Sequence, residues 1–422
     1  MRTFIKTWCK RALLNLLIVA IAGVILRTKI LWPVPLLDYK YLLHAHSHFA
    51  FSGWVSLCLS ACIAGTMDLQ ANRIRLYNIL LFSLLIAAFG MLLSFPFGGY
   101  TAVSISFSTL SIFASWAFAI ICRKDLSRSH LPLHIIRWFK AGLFFYVISA
   151  AGPFILAWLM ATANPDQHWY LGSIYFFLHF QYNGWFAFSV IGLLLAYLHK
   201  RNIGIPDKMS AIIFWLQFIC CLPAFFLSAL WMKLPFWIYI TAVLAASGQV
   251  IALVLLLTSI FKLRKGIANE TDKITRSLWM LALIAFSLKT LMQWLSVFPE
   301  LSFLAFAYRP VVIGYLHLIL LGFITLFLIG YLIQRSYVQT SAVAGKGIVF
   351  FVSGVILNEL FLFVQALASI AGSNIPLINY LLLTAALLML AGLSVLYISQ
   401  TNKNLVNYGL SKQQRRSTAS AS

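Results

Sequence analysis

The sequence predicts an all-α, polytopic membrane protein: twelve transmembrane helices in three four-helix repeats, with both termini in the cytoplasm. Three observations lead there. Of 422 residues, 62% are hydrophobic and only 9% charged, a surface too apolar for a water-soluble domain. Twelve apolar stretches reach the roughly 20 residues needed to cross about 30 Å of hydrocarbon. A short phrase headed by histidine recurs about once per third of the chain, and such periodicity points to internal repeats.

The expected spans are 12–32, 42–66, 77–99, 101–122, 139–163, 170–198, 209–231, 234–262, 277–298, 310–333, 347–371 and 376–400. The gap between the third and fourth is the shortest. The basic, then apolar, N-terminus runs into Arg27 and Lys29 with no small-residue cleavage site, so it reads as a retained first helix. One transmembrane domain covers residues 1–402, with repeats at about 1–135, 136–276 and 277–402. A polar tail, 403–422, is expected to be cytoplasmic and mobile.

Charge sets the orientation. With the N-terminus inside, 25 of the 31 Lys and Arg residues fall on inner segments. Only Arg27, Lys29, Lys40, Lys233 and Arg309 fall outside, and Lys289 lies within a span. This is the positive-inside pattern. It accounts for the net charge of +22 without nucleic acid, since the basic residues are dispersed between apolar runs. The partner this implies is the lipid bilayer. The six cysteines form no CxxC pair and read as small, reduced core residues, with Cys58 and Cys62 the pair most able to add a ligand.

The repeated phrase is His48-Phe49-Ala50-Phe51-Ser52-Gly53-Trp54, His179-Phe180-Gln181-Tyr182-Asn183-Gly184-Trp185 and His317-Leu318-Ile319-Leu320-Leu321-Gly322-Phe323. The leading histidines are 131 and 138 residues apart. They fall on spans two, six and ten, all running outside to inside, about 9, 14 and 10 Å along them at 1.5 Å per residue. Imidazole in a membrane faces the interior and carries function, and it is the commonest metal ligand and a frequent axial ligand of haem. The glycine five positions on, Gly53 or Gly322, either admits a flat macrocycle or serves helix packing.

Span two also holds His44 and His46. His44 and His48 share a face four residues apart, a spacing suited to one metal ion. His46 points roughly the other way, at about 100° per residue. One face is thus open to a haem and the other to a second metal or a propionate, unless His44 is simply interfacial. Tyr182 and Tyr315 flank His179 and His317, as hydrogen-bond donors, redox-active side chains or packing residues.

At these residues the chain resembles the haem–copper oxidase superfamily, and in particular its NnrS-like members. Those oxidases have twelve helices in three four-helix arcs with metal ligands on inner helices near the outer face. NnrS-type proteins carry an H-x-H-x-x-x-x-G-aromatic phrase, matched by His46-Ser47-His48 to Gly53-Trp54, and a later H-x-x-x-x-G phrase like His317 to Gly322. The resemblance implies a haem between His48 (or His46) and His317, with His179 where the oxidases place a copper ligand. It also implies a bacterial inner-membrane location and a cytochrome or quinol electron donor. Span seven lacks the oxidases' histidine pair, span ten has Tyr315 in place of a second histidine, and Arg335 is the nearest counterpart of the NnrS terminal arginine. These departures point away from proton-pumping oxygen reduction, towards nitric oxide handling or electron transfer. A non-catalytic assembly or sensory factor, or a transporter or metal permease, are the alternatives.

Lys289 and Glu359 lie mid-span with opposite charge, either as a buried pair or on a proton path. Gln249, Gln293 and Gln365 are expected to join that polar interior. Arg309, about two turns above His317, is the candidate propionate partner or an interfacial arginine. His168 is expected outside and His130, His134 and His199 inside, with no role assigned.

Overall fold

The computed structural model describes residues 1–163, 166–232 and 234–401. The tail 403–422 and Lys233 lie outside the described residues. Every regular element described is helical. In order they are α1 (Arg2–Leu31), α2 (Tyr39–Phe49), π1 (Ala50–Ser56), α3 (Leu57–Ala64), α4 (Ala71–Gly98), α5 (Ala102–Arg128), α6 (Leu133–Ser149) and α7 (Ala151–Ala161). Next come α8 (Gln167–His179), π2 (Phe180–Phe186), α9 (Ala187–His199), α10 (Asp207–Cys221), a 3-10 segment (Pro223–Ala229) and α11 (Phe236–Glu270). The last are α12 (Lys273–Leu295), α13 (Pro299–Ala307), α14 (Arg309–His317), π3 (Leu318–Thr325), α15 (Leu326–Gln334), α16 (Ala342–Ile370) and α17 (Leu377–Thr401).

Among the described residues ten helices are long and apolar enough to cross a membrane, and an eleventh if α10 and the 3-10 segment, bent by 42° at Leu222-Pro223, count as one. The run α8–π2–α9 is continuous but does not qualify by composition, because His179, Gln181 and Asn183 interrupt its apolar character. Large apolar side chains such as Ile86, Leu93, Phe97 and Phe363 are exposed on the outside of the bundle. Such a surface needs lipid as its solvent, so the chain is a multi-pass helical membrane protein.

Local chemistry starts the helices where the sequence places them. Asp38 caps α2 by accepting from the Tyr41 N–H at 3.0 Å, and Asp166 caps α8 through His168 N–H at 2.8 Å. Pro310 opens α14, where a missing N–H costs nothing. The tight gap after span three is a real turn: Gly99 has φ +63, and a Cβ there would run into the Tyr41 ring, so only glycine fits. The short helix α13 between α12 and α14 was not anticipated.

Packing is uneven along the three central runs. Every residue of α3 and π2 is buried, as are eight of the nine in α15. In the preceding halves α14 buries none and α8 buries only Ser173 and His179. The core therefore sits around the C-terminal halves of these runs. The N-terminal halves α8 and α14, which end in His179 and His317, are loosely covered.

Candidate functional site

Each histidine phrase turns into a π-helical segment. Ala50–Ser56 begins two residues after His48, Phe180–Phe186 one after His179, and Leu318–Thr325 one after His317. π-Helix is rare and concentrates at functional sites; three segments of seven or eight residues, each starting one or two residues after the histidine, are a feature of the phrase itself. They are laced together by indoles. Trp54 of π1 donates to Thr325 Oγ1 of π3 at 2.8 Å. Trp185 of π2 donates to Ser56 Oγ of π1 at 3.2 Å. The corresponding positions of the remaining pairing, Phe323 and Ala187, hold neither donor nor acceptor.

His46 and His317 share one arrangement. His46 Nδ1 donates to the Val19 carbonyl of α1 at 3.1 Å, and His317 Nδ1 donates to the Ile313 carbonyl at 2.8 Å. A carbonyl only accepts, so the proton sits on Nδ1 in both, and Nε2 keeps its lone pair. The two rings are electrostatic neighbours of each other and of Arg27. Gly23 makes room for His46, whose Cε1 lies 3.4 Å from where a Cβ would stand. Val19, Gly23 and Arg27 form an i, i+4, i+8 stripe on α1 facing this pair, a signal present in the sequence but passed over when Arg27 was counted as an outer charge. Arg309 lies 5.3 Å over the Tyr39 ring, tying the N-terminal end of α14 to that of α2.

His48 faces elsewhere. Its ring stacks on Phe95 at 4.7 Å and 9°, and Nε2 meets the Tyr100 hydroxyl at 3.3 Å. His44 packs on the same two aromatics, 6.0 Å from Phe95 and 5.0 Å from Tyr100. Tyr100 sits in the turn between α4 and α5, where burial, with the Tyr170 phenol nearby, pushes its hydroxyl up to about 12. It stays protonated and able to donate at any physiological pH. Sequence reasoning missed Tyr100, which lies in a loop 52 residues from His48 with no local signal.

His179 is buried and fully engaged. Nε2–H donates to the Cys221 carbonyl at 2.9 Å, and Nδ1 accepts from Asn183 Nδ2 at 3.0 Å. The Cys221 carbonyl is free because the chain bends at Leu222-Pro223 just beyond it, so His179 staples the broken end of α10 to π2. As placed, it offers a metal no free nitrogen. Beside it lies buried Lys289, an electrostatic neighbour of His179 and Cys221. Tyr182 and Tyr315 face each other at 6.0 Å between ring centroids, and Tyr315 donates to Gln293 at 3.5 Å, which donates to Gln249 at 3.0 Å. Gln365 instead donates to Asn379 at 3.1 Å, outside that chain.

Lys289 and Glu359 are not paired. Glu359 on α16 accepts from Asn358 at 3.1 Å and has Arg27 as its electrostatic neighbour. The phrase glycines serve packing. A Cβ at Gly53 would strike the Phe49 ring, at Gly184 the Phe145 side chain, and at Gly322 would come to 3.1 Å from Ala285 Cβ. The space expected above Gly53 and Gly322 for a flat ring is filled. Cys58 and Cys62 are buried beside Cys9, three turns or more beyond His46 along the same helical run, about 18 Å or more away at 1.5 Å per residue. Among the described residues no group of three or more His, Cys, Asp or Glu side chains could hold a metal ion. Comparison with protein-family models and with curated proteins finds no match.

Proposed function

We propose that this chain is an integral-membrane haem-binding protein of the bacterial inner membrane, acting in respiratory electron transfer or nitric oxide handling. A cytochrome or quinol is its electron donor. The observation that carries this reading is the His46–His317 pair: two imidazoles from α2 and α14, each with Nδ1 tied to a backbone carbonyl and Nε2 free. Axial histidines are oriented in this way, by a second hydrogen bond that fixes tautomer and ring plane. The loosely covered α14 is where a macrocycle would sit, with Arg27 and Arg309 as cations for its carboxylates. Gly53 and Gly322 have no part in holding it.

Haem bound there supplies one-electron chemistry at iron. His46 and His317 would both hold the iron through Nε2, an arrangement suited to electron transfer. Copper at His179 does not fit the side chain as placed, because both of its nitrogens are engaged; His44 and His48, which share the Phe95 and Tyr100 rings, are the remaining candidate metal pair. The engagement of His179 favours, as the second reading, a non-catalytic factor that keeps haem without turnover.

The finer architecture belongs to the same proposal: twelve crossings in three four-helix repeats, both termini cytoplasmic. The three π segments, each one or two residues after its histidine, support it, as do the indole bonds that join the second repeat to the first and the first to the third. The runs α8–π2–α9 and α10 with its 3-10 segment supply the eleventh and twelfth crossings. A broken helix is also a transporter feature, but here the freed carbonyl is taken by His179 and lines no open site.

Protein purified from haem-replete cells should show a Soret band and a haem-extraction signal. A colourless, haem-free preparation overturns the reading. Steady-state nitric oxide consumption by haem-loaded protein separates an enzyme from a non-catalytic factor.

A further inference from the structure

Between α11 and α12 runs a groove of about 540 Å³, lined by Leu257, Ile260, Phe261 and Leu283 and ending at Lys262 and Arg264. Leu257, Phe261 and Arg264 lie at i, i+4 and i+7 of α11, so the floor runs along one helix face for roughly 10 Å at 1.5 Å per residue. It passes from aliphatic to cationic in one direction only. Arg264 is held back over the mouth: its Nη1 donates to the Phe261 carbonyl at 2.9 Å, and its guanidinium lies 4.0 Å over the Phe261 ring. Lys262, Arg264 and the following Lys265 are exposed, and among the described residues none of the three makes an ion pair. Elsewhere on inner segments Arg73 is paired with Asp125 and Arg201 with Glu270, their charges satisfied within the protein.

An apolar trough opening onto unpaired cations matches the two halves of one molecule. We infer that the groove binds an anionic phospholipid, one acyl chain lying along Leu257, Ile260 and Leu283 and the phosphate held by Lys262 and Arg264. The inner leaflet supplies such lipids, and juxtamembrane basic clusters attract them. Long basic side chains reach the headgroup level from an apolar stem. A zwitterionic lipid brings a phosphate but also its own cation beside it, so it leaves the two protein cations less fully compensated than an anionic lipid does. None of this involves the histidine helices, so it stands apart from the haem reading.

The test uses the full chain in detergent, with thermal unfolding followed as phosphatidylglycerol or phosphatidylcholine is added, and native mass spectrometry to count retained lipid. Phosphatidylglycerol should raise Tm by several degrees more than phosphatidylcholine. The double variant Lys262→Gln/Arg264→Gln should lose at least half of that difference, whereas Lys124→Gln/Arg128→Gln, at a different inner segment, keeps it. Leu283→Trp, which fills the trough without altering charge, should retain one lipid fewer. Equal stabilisation by the two lipids, or equal losses in the two double variants, overturns the proposal. So does an unchanged lipid count in Leu283→Trp.

Discussion

The indole of Trp54 donates to Thr325 at 2.8 Å across 271 residues of sequence, joining the π segment after His48 to the one after His317. This bond and its counterpart from Trp185 to Ser56 join the three histidine helices near their middles, just after the phrase histidines.

Trp54→Phe should therefore destabilise the bundle by about 1–2 kcal/mol, since the Thr325 hydroxyl is left buried without its donor. Thr325→Val on its own should cost a similar amount. The double variant should cost less than the two singles summed, because both partners of one bond are then gone. Detergent-phase unfolding of the four proteins gives the coupling.

His46 and His48 are two residues apart but face different neighbours, so their variants should separate. His46→Ala and His317→Ala should each abolish or shift the Soret band. His48→Ala, which frees Tyr100 and unstacks Phe95, should leave the band in place. Loss of colour in His48→Ala with retention in His46→Ala would reverse the assignment. Gly23→Leu, which pushes on the His46 ring without removing it, should shift the band.

His179 should behave as a structural staple. His179→Ala leaves the Cys221 carbonyl and the Asn183 amide buried and unpaired, at a cost of about 2–3 kcal/mol, and should leave haem content unchanged. Haem and copper content measured on the same preparation, beside the unfolding midpoint, decides this. Equal stability with lost metal would show that the ring turns to a ligand role.

Tyr100 predicts an alkaline limb in the stability profile. Its hydroxyl holds its proton to about 12 in the folded chain, against about 10 when unfolded. The unfolded chain thus gives up this proton first, and stability falls between pH 10 and 12, having been intact below pH 10. Tyr100→Phe should flatten that fall by up to about 2 kcal/mol. Tm measured from pH 9 to 12 for both proteins tests it.

The periodic apolar runs, the charge distribution and the thrice-repeated phrase were legible because each depends on residues close in sequence. Helix formation in lipid is a local matter of hydropathy and hydrogen bonds closed within one segment. Ten of the expected crossings are helices that could span a membrane by length and composition. The middle histidine helix and the proline-bent one are those whose polar or broken character weakens the local signal.

What the sequence determined by itself is that the chain lives in a bilayer as a helical bundle, and that one histidine-headed phrase recurs through it. Only the tertiary structure decided what each imidazole meets: His46 and His317 give Nδ1 to backbone carbonyls, His179 has both nitrogens engaged, and His48 meets the Tyr100 hydroxyl through Nε2. The physical reason is that a histidine's role is fixed by what its second nitrogen meets, and Val19, Tyr100 and Cys221 are brought there by helices 27, 52 and 42 residues away. No local pattern encodes those distances.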